Sequence, residues 1–212
     1  RIYADDKFIM QAEYRQSLEK SKLISDFSYN NDGKNSNSHL FASLDGKIDT
    51  KSKYNINYQS VTNDNYLKIH NLSKSSPLIK NESVLTSKIN FYKNIDSNTK
   101  FRTDFIAYED LSKSNNDRFQ YILPNFTFTK NLELDQNYDG SFRFQSSGFQ
   151  KSYDTNKYET LLINDFLFES NDYISNKGIK TNYDLLLKNF NSYSENSTSY
   201  KEKEDYEVFG TL

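Results

Sequence analysis

Lys53-Tyr54-Asn55-Ile56-Asn57-Tyr58-Gln59 is the stretch that decides the fold. Large apolar side chains occupy Tyr54, Ile56 and Tyr58, and a polar residue fills every position around them. Successive side chains of an extended strand point to opposite faces, so this segment has one oily face and one wet face. Working outward, the same period of two recurs. Phe8, Met10, Ala12 and Tyr14 alternate with Lys7, Gln11, Glu13 and Arg15, with Ile9 the one exception. Leu23, Phe27 and Tyr29 follow, then Leu40, Ala42, Leu44 and Ile48. Beyond the central stretch come Leu85, Ile89 and Phe91, and then Phe101, Phe105 and Ala107. Phe142 and Phe144 alternate with Ser141, Arg143 and Gln145. Tyr158, Leu162, Phe166 and Phe168 form another run, and Ile179, Tyr183, Leu185 and Leu187 the last.

The separators are rich in Asn, Asp, Ser and Gly, which tolerate the backbone angles of tight turns. They are Asn30 to Gly33, Lys93 to Asn98, Ser112 to Asn116 and Asn137 to Gly140. Strand plus turn repeats every 15–20 residues or so, which predicts about ten to twelve antiparallel strands. Asn63 to Ser76 is the least strand-like stretch. It is expected to hold a short helix or a loop, with Tyr66, Leu67 and Ile69 packed inward.

Composition narrows the class. The chain has 212 residues, of which 35% are hydrophobic and 26% charged. Mean hydropathy is −0.89. The longest aliphatic runs are Leu161-Leu162-Ile163 and Leu185-Leu186-Leu187. A spanning helix needs roughly 20 apolar residues, so a helical membrane protein is excluded. Disorder is opposed by a net charge of only −2 and by 17 Tyr and 16 Phe, since disordered chains are poor in aromatics. There is no cysteine, hence no disulfide framework or zinc ribbon within the chain. The chain opens at Arg1 without a basic start and apolar stretch, so it reads as a piece of a longer protein with any export signal upstream.

Two architectures give this alternation. A β-sandwich turns its apolar faces inward to a shared core. An outer-membrane barrel turns them outward to lipid and keeps a polar lumen. The segments run to about ten to fourteen residues, longer than the usual five or six of a sandwich strand. Tyr and Phe dominate the apolar positions near segment ends, and total apolar content is low. The fold expected is therefore all-β, an antiparallel up-and-down meander forming an incomplete arc of a large transmembrane β-barrel, with residues 1–212 as one partial barrel domain. Pattern alone leaves a soluble sandwich or β-solenoid open. In the barrel reading the lipid-facing residues are Phe8, Met10, Tyr14, Tyr54, Ile56, Tyr58, Phe101, Phe105, Phe142, Phe144, Leu162, Phe166, Tyr183 and Leu185. The lumen-facing ones are Gln11, Glu13, Arg15, Lys53, Asn55, Asn57, Gln59, Arg143 and Gln145.

Constellations with chemistry are sparse. His39 and His70 have no second His, Cys or carboxylate at metal-ligand spacing. His39 shares a strand face with Phe41 and Asp45, which favours a structural or solvated role. Asn31-Asp32-Gly33 lacks the remaining ligands of a calcium loop. No phosphate-binding glycine loop and no Gly-x-Ser-x-Gly occurs. Asp104 with Glu109, or Glu159 with Asp165, would be paired carboxylates, but such pairs arise by chance at this charge density. With 27 basic against 29 acidic residues, nucleic-acid binding is disfavoured. Lys201 to Asp205 reads as a solvated loop or strand end. No catalytic, cofactor-binding or metal-binding residue is assigned, and the chain is expected not to be an enzyme.

Four ordered motifs resemble one family. Ala12-Glu13-Tyr14-Arg15 is similar to an early barrel strand with a Glu-Tyr-Arg core. Ser60 to Leu67 resembles a Ser-Asp-x-x-Tyr-Leu stretch, carried here by Asp64, Tyr66 and Leu67. Tyr121 to Phe126 resembles a strand in which a proline, here Pro124, precedes the next hairpin. Gly140 to Phe144, followed by Asp154-Thr155-Asn156-Lys157, resembles a glycine-led strand and the Asp-Thr turn after it. Together they resemble the barrel of the LPS-assembly protein LptD family, also called organic solvent tolerance proteins. Lys157 departs from the Arg of many members. The resemblance implies a non-enzymatic outer-membrane translocon of a Gram-negative bacterium that delivers lipopolysaccharide to the cell surface. It implies an LptE-like lipoprotein plug, a periplasmic Lpt bridge reached through an N-terminal domain absent from this chain, outer-membrane lipid as surroundings and no cofactor. A porin or receptor barrel, or a soluble β-rich adhesion module, is the alternative.

Overall fold

The computed structural model describes residues 9–31, 35–114, 117–132, 134, 139–201 and 203–212. Alternating sequence becomes strand almost throughout. The strands are β1 (Ile9–Ser17), β2 (Ser21–Asn31), β3 (Ser36–Lys47), β4 (Ser52–Val61), β5 (Val84–Asn94), β6 (Thr99–Asp110) and β7 (Phe119–Leu132). They continue with β8 (Gly140–Tyr153), β9 (Tyr158–Ser170), β10 (Tyr173–Ile174), β11 (Lys180–Thr181), β12 (Asp184–Glu195) and β13 (Lys203–Thr211). Eleven of them form one antiparallel sheet in the order β1-β2-β3-β4-β5-β6-β7-β8-β9-β12-β13. β10 and β11 make a separate two-stranded hairpin. The chain is thus an all-β up-and-down meander whose main sheet, with eleven strands, falls within the expected ten to twelve. The sheet is not closed, because β1 and β13 are its two edges.

The chain divides into two compact units. The first comprises Arg1–Phe91, Asp104–Tyr121 and Tyr153–Thr155, and the second Tyr92–Thr103, Ile122–Ser152 and Asn156–Leu212. Tight turns use one device twice. Asp49 accepts hydrogen bonds from the Lys51 N–H (2.7 Å) and the Ser52 hydroxyl (3.1 Å). Asp96 accepts from the Asn98 N–H (2.8 Å) and the Thr99 hydroxyl (3.0 Å). An Asp side chain that bonds its own backbone two residues on makes the turn locally self-sufficient.

Register fixes the faces of the first unit. Met10 pairs with Tyr29, and Tyr14 with Ser25. Phe27 pairs with Leu40, and Leu23 with Leu44. Ala42 pairs with Tyr58, Leu44 with Ile56 and Gly46 with Tyr54. Directly opposed residues share a face, so these side chains lie together. The Tyr54 ring lies across Gly46, where any Cβ would collide with it. On the other face Gln11 pairs with Ser28 and Glu13 with Asp26. Lys53, Asn55, Asn57 and Gln59 there oppose Lys47, Asp45, Ser43 and Phe41.

Burial follows an unusual rule. The apolar face is the exposed one: Tyr14 is 55% exposed, Tyr58 48% and Ile56 38%. On the polar face Asp26, Ser28, His39 and Phe41 are at most 1% exposed. The cover is the chain from 62 to 83, which joins β4 to β5. It carries one helical turn, α1 (Tyr66–Ile69), and a 3-10 turn at Leu72–Lys74. Tyr66, Leu67, Leu72 and Ile79 from this connection join Ile9, Phe41, Leu85 and Leu111 in the one buried apolar cluster of the described residues. The helical turn and the inward packing of Tyr66 and Leu67 match the reading of Asn63 to Ser76. Ile69 does not: it is 55% exposed, because one helical turn presents only one side to the sheet.

The second unit alternates less strictly. Phe142 and Phe144 oppose Phe168 and Phe166. Leu185 and Leu187 oppose the same two phenylalanines from the other side. Gly140 opens β8 where a Cβ would strike the Glu169 carbonyl and the Phe168 ring. Farther along that face lie Asn164, Asn189 and Asn191, joined by side-chain hydrogen bonds of 3.1 and 2.6 Å. The opposite face mixes Lys188 and Asp165 with Leu161, Ile163 and Phe190. The expected run from Ile179 to Leu187 is not one strand. A hairpin with Gly178 at φ 76 interrupts it, and β12 begins only at Asp184. Pro124 lies within β7, ahead of the turn to β8.

Candidate functional site

The covered part of the polar face in the first unit gathers the most chemistry. Asp26 and Ser28 are two residues apart on β2 and so project to the same side, and His39 faces them from β3, directly opposite Ser28. Ser28 Oγ lies 2.6 Å from His39 Nδ1 and 2.9 Å from the Tyr66 hydroxyl. His39 Nε2 lies 3.3 Å from Asp26 Oδ2, an electrostatic contact in which neither atom meets hydrogen-bond geometry. Gln11 Nε2 donates to Asp26 Oδ1 at 3.3 Å. The His39 ring meets Phe41 edge-on at 5.1 Å. Burial pushes the Tyr66 phenol up despite its bond to Ser28, so it stays a neutral hydroxyl.

Ser, His and Asp in contact invite comparison with a hydrolytic triad. The arrangement does not serve that chemistry as it stands. The Ser28 hydroxyl is engaged by Tyr66, and all three side chains are sealed from solvent. A nucleophile needs a position about 3 Å away for a reacting atom, and here Tyr66 fills it. The set works as a satisfied polar core that seats the 62–83 connection. Sequence reasoning missed it because the carboxylate near His39 is not near in the chain.

A second contact holds the connection from outside. The Arg118 guanidinium, just before β7, forks onto Asp64 with Nη1–Oδ2 at 3.0 Å and Nη2–Oδ1 at 2.6 Å. Its Nε and Nη2 also reach Glu109 Oε1 at 2.9 and 2.6 Å. Paired parallel bonds of this kind are the strong form of an Arg–carboxylate contact. The hydrogen bonds from Arg118 hold the Asp64 carboxyl below the usual carboxylate range. Asp64 and then Glu109 push the guanidinium further up, so it is always charged. Asp64 was singled out by family motif; its partner was not.

Beside the connection lies a cavity of about 380 Å³ on the polar face. Ser43, Asn57, Gln59, Lys80 and Lys88 supply its polar wall, and Pro77, Leu78 and Val84 the apolar one. Gln59 binds the connection through the Leu78 carbonyl (3.2 Å) and accepts from the Thr86 N–H (2.7 Å). Lys88 pairs with Asp104 at 3.1 Å.

In the second unit the corresponding buried acid is Glu159, 2% exposed. Lys151 Nζ approaches it at 3.1 Å and Lys157 Nζ at 3.9 Å, and the Ser197 hydroxyl donates to it. The Tyr200 ring lies tilted against Phe149 and Phe190, with ring centres 6.5 and 6.4 Å away. The β12–β13 connection thus also folds over the strand face that carries ionic residues.

Met10, Tyr14, Tyr54, Ile56 and Tyr58 share one face, and Gln11, Glu13, Arg15, Lys53, Asn55, Asn57 and Gln59 the other. Phe142, Phe144, Leu162, Phe166 and Leu185 share a face from which Arg143 and Gln145 point away. Phe101 and Phe105 lie on one side of β6 by spacing, with Phe105 41% exposed. Tyr183 precedes β12 and its ring lies 5.8 Å from Phe168. Phe8 lies outside the described residues. The carboxylate pairs do not form: Asp104 is bound by Lys88 and Asn90, and Glu109 by Arg118. Glu159 and Asp165 each face a lysine instead, Asp165 at 3.2 Å from Lys188. Among the described residues no group of three metal-ligating side chains occurs, and no helix is long and apolar enough to cross a membrane. No protein-family model matches the chain, and no curated protein matches it.

Proposed function

We propose that the chain is part of the wall of an outer-membrane β-barrel of the LPS-assembly type, with a transport role and no bond-making chemistry. The observation that carries this reading is the sidedness of the first unit. Its apolar strand face, with Tyr14, Leu40, Ile56 and Tyr58, is open, while part of its polar face, around Asp26, Ser28 and His39, is covered. A soluble monomer rarely leaves a contiguous apolar patch of more than a few hundred Å² in water. Lipid is the surrounding that makes such a face favourable, and the complementary polar face then borders a hydrated interior. A soluble sandwich would require Tyr54, Ile56, Tyr58, Phe142 and Phe144 in a dry core, and none of them is among the buried residues.

The ordered motifs at Glu13-Tyr14-Arg15, Asp64 to Leu67, Pro124 and Gly140 favour the lipopolysaccharide-assembly family over a porin or receptor. On this reading the partners are lipopolysaccharide, an LptE-like lipoprotein and a periplasmic Lpt bridge, and the location is the outer membrane of a Gram-negative bacterium. Fractionation of cells carrying the full-length protein tests it. Recovery in the outer-membrane fraction, released only by detergent, is expected. Recovery as a soluble protein without detergent overturns the reading. Depletion should also leave lipopolysaccharide short of the cell surface, whereas a loss confined to small-solute uptake would point to a porin.

A further inference from the structure

We infer that residues 62–83 form a strap that opens as one piece from the polar face, and that the Arg118–Asp64 fork is its latch. The inference holds whether or not the strands lie in lipid.

The strap is anchored unlike any strand. It enters through a Thr62 N–H to Ser38 carbonyl bond (3.0 Å) and leaves through a Leu111 N–H to Ser83 carbonyl bond (2.8 Å). Between these, most of its backbone bonds are local, such as Ile69 N–H to Asn65 O at 2.9 Å and Ser75 N–H to Leu72 O at 3.0 Å, and the Leu78 carbonyl also accepts from the Gln59 side chain of β4 at 3.2 Å. A segment whose backbone bonds close on themselves can leave a sheet without breaking its ladder. Such segments open at a lower free energy than the strands beneath them.

What keeps the strap shut is a small set of side-chain contacts. Tyr66, Leu67, Leu72 and Ile79 supply apolar feet that settle on Ile9, Phe41, Leu85 and Leu111. Tyr66 adds the bond to Ser28 at 2.9 Å. Outside, Arg118 ties Asp64 of the strap to Glu109 of β6. The apolar feet favour closure without direction. The fork is directional, and it is the only ion pair among the described residues that joins the strap to the sheet. Breaking it removes charge-assisted contacts to Asp64 and Glu109 but none of the apolar feet and not the Tyr66–Ser28 bond. Opening would replace a sealed surface with one on which Asp26, Ser28 and His39 meet water.

Residues 1–212 contain no cysteine, so Leu72→Cys places a thiol under the strap that is the sole one once any cysteine elsewhere in the full-length protein is replaced. Leu72 is 3% exposed, and Ile106 on β6 is 7% exposed but outside the strap's apolar cluster. The rate of labelling by a water-soluble maleimide is measured on the purified full-length chain for Leu72→Cys and Ile106→Cys, each with and without Arg118→Gln. Loss of the fork should raise the Leu72→Cys rate by about tenfold or more and the Ile106→Cys rate by less than about twofold. Equal acceleration at both sites would mean global loosening and overturn the strap. No acceleration at either site would overturn the latch. If Arg118→Gln fails to fold, Asp64→Asn removes the other half of the fork in the same assay. Amide exchange over 66–76 in the cysteine-free chain should follow the same order.

Discussion

Asp64 shows how a side chain with half its surface open still governs local structure. It is held charged by two hydrogen bonds from one guanidinium. Its folded affinity for a proton is therefore lower than in an unfolded chain, where a carboxyl titrates near pH 3.9. The sign follows from linkage: the stabilisation is complete above that pH and fades as the pH falls through the depressed folded value. Exchange of the 66–76 amides should accelerate on acidification below about pH 4, beyond the intrinsic change in exchange rate. In Asp64→Asn that extra acid step should vanish, since no carboxylate remains to be protonated at the fork. A step that persists unchanged in the variant assigns it to another acid. Buried Asp26 and Glu159 are of a different kind: Asp26 accepts from Gln11, and Glu159 accepts from Ser197 with Lys151 beside it.

At the scale of the element, β4 carries the test of sidedness. Ile56 and Asn57 are adjacent, yet Ile56 opposes Leu44 on the exposed apolar face and Asn57 opposes Ser43 on the polar one. In lipid, Ile56→Lys should cost roughly 2–4 kcal/mol if the site is at mid-bilayer. Asn57→Lys should be close to neutral, because it adjoins a cavity on the polar face walled by Ser43, Gln59 and Asn81. Folding into vesicles, followed by band shift or protease resistance, measures both. Equal sensitivity of the two positions contradicts the proposed sidedness. Strands of the second unit make a less uniform case. Asn164, Asn189 and Asn191 interrupt the apolar face but satisfy one another, which lowers the penalty for a polar group away from water.

Among the described residues the edge strands of the eleven-stranded sheet are β1 and β13, and an open edge is a template for further pairing. On β13, Tyr206, Val208 and Phe209 are exposed as well. In lipid an open edge is not tolerated, since each backbone group must find a partner in a neighbouring strand. Residues 1–212 expressed alone should therefore associate through these edges, giving mixed oligomers in detergent by size-exclusion chromatography with light scattering. A sharp, stable monomer would contradict the reading of this sheet as part of a larger closed one.

Much of this architecture was legible from residue order. The period of two is a local property, so β1, β4 and β8 and the two sides of each could be read from Met10 to Arg15, Lys53 to Gln59 and Ser141 to Gln145. The helical turn at Tyr66 showed as a break in that period. Leu161 and Ile163 were less legible, because a continuous apolar run names no face. The hairpin that displaces Tyr183 from a strand hung on a single glycine.

Residue order alone sets the strand class and the division of each strand into an oily and a wet side, because alternation acts between neighbours in the chain. Which side would be covered was decided only by tertiary structure, when the 62–83 connection folded onto the polar face. The same holds for the meeting of Asp26 with His39 and of Asp64 with Arg118, the latter pair 54 residues apart. Contacts of that range depend on register and on loop closure, and no local pattern encodes either.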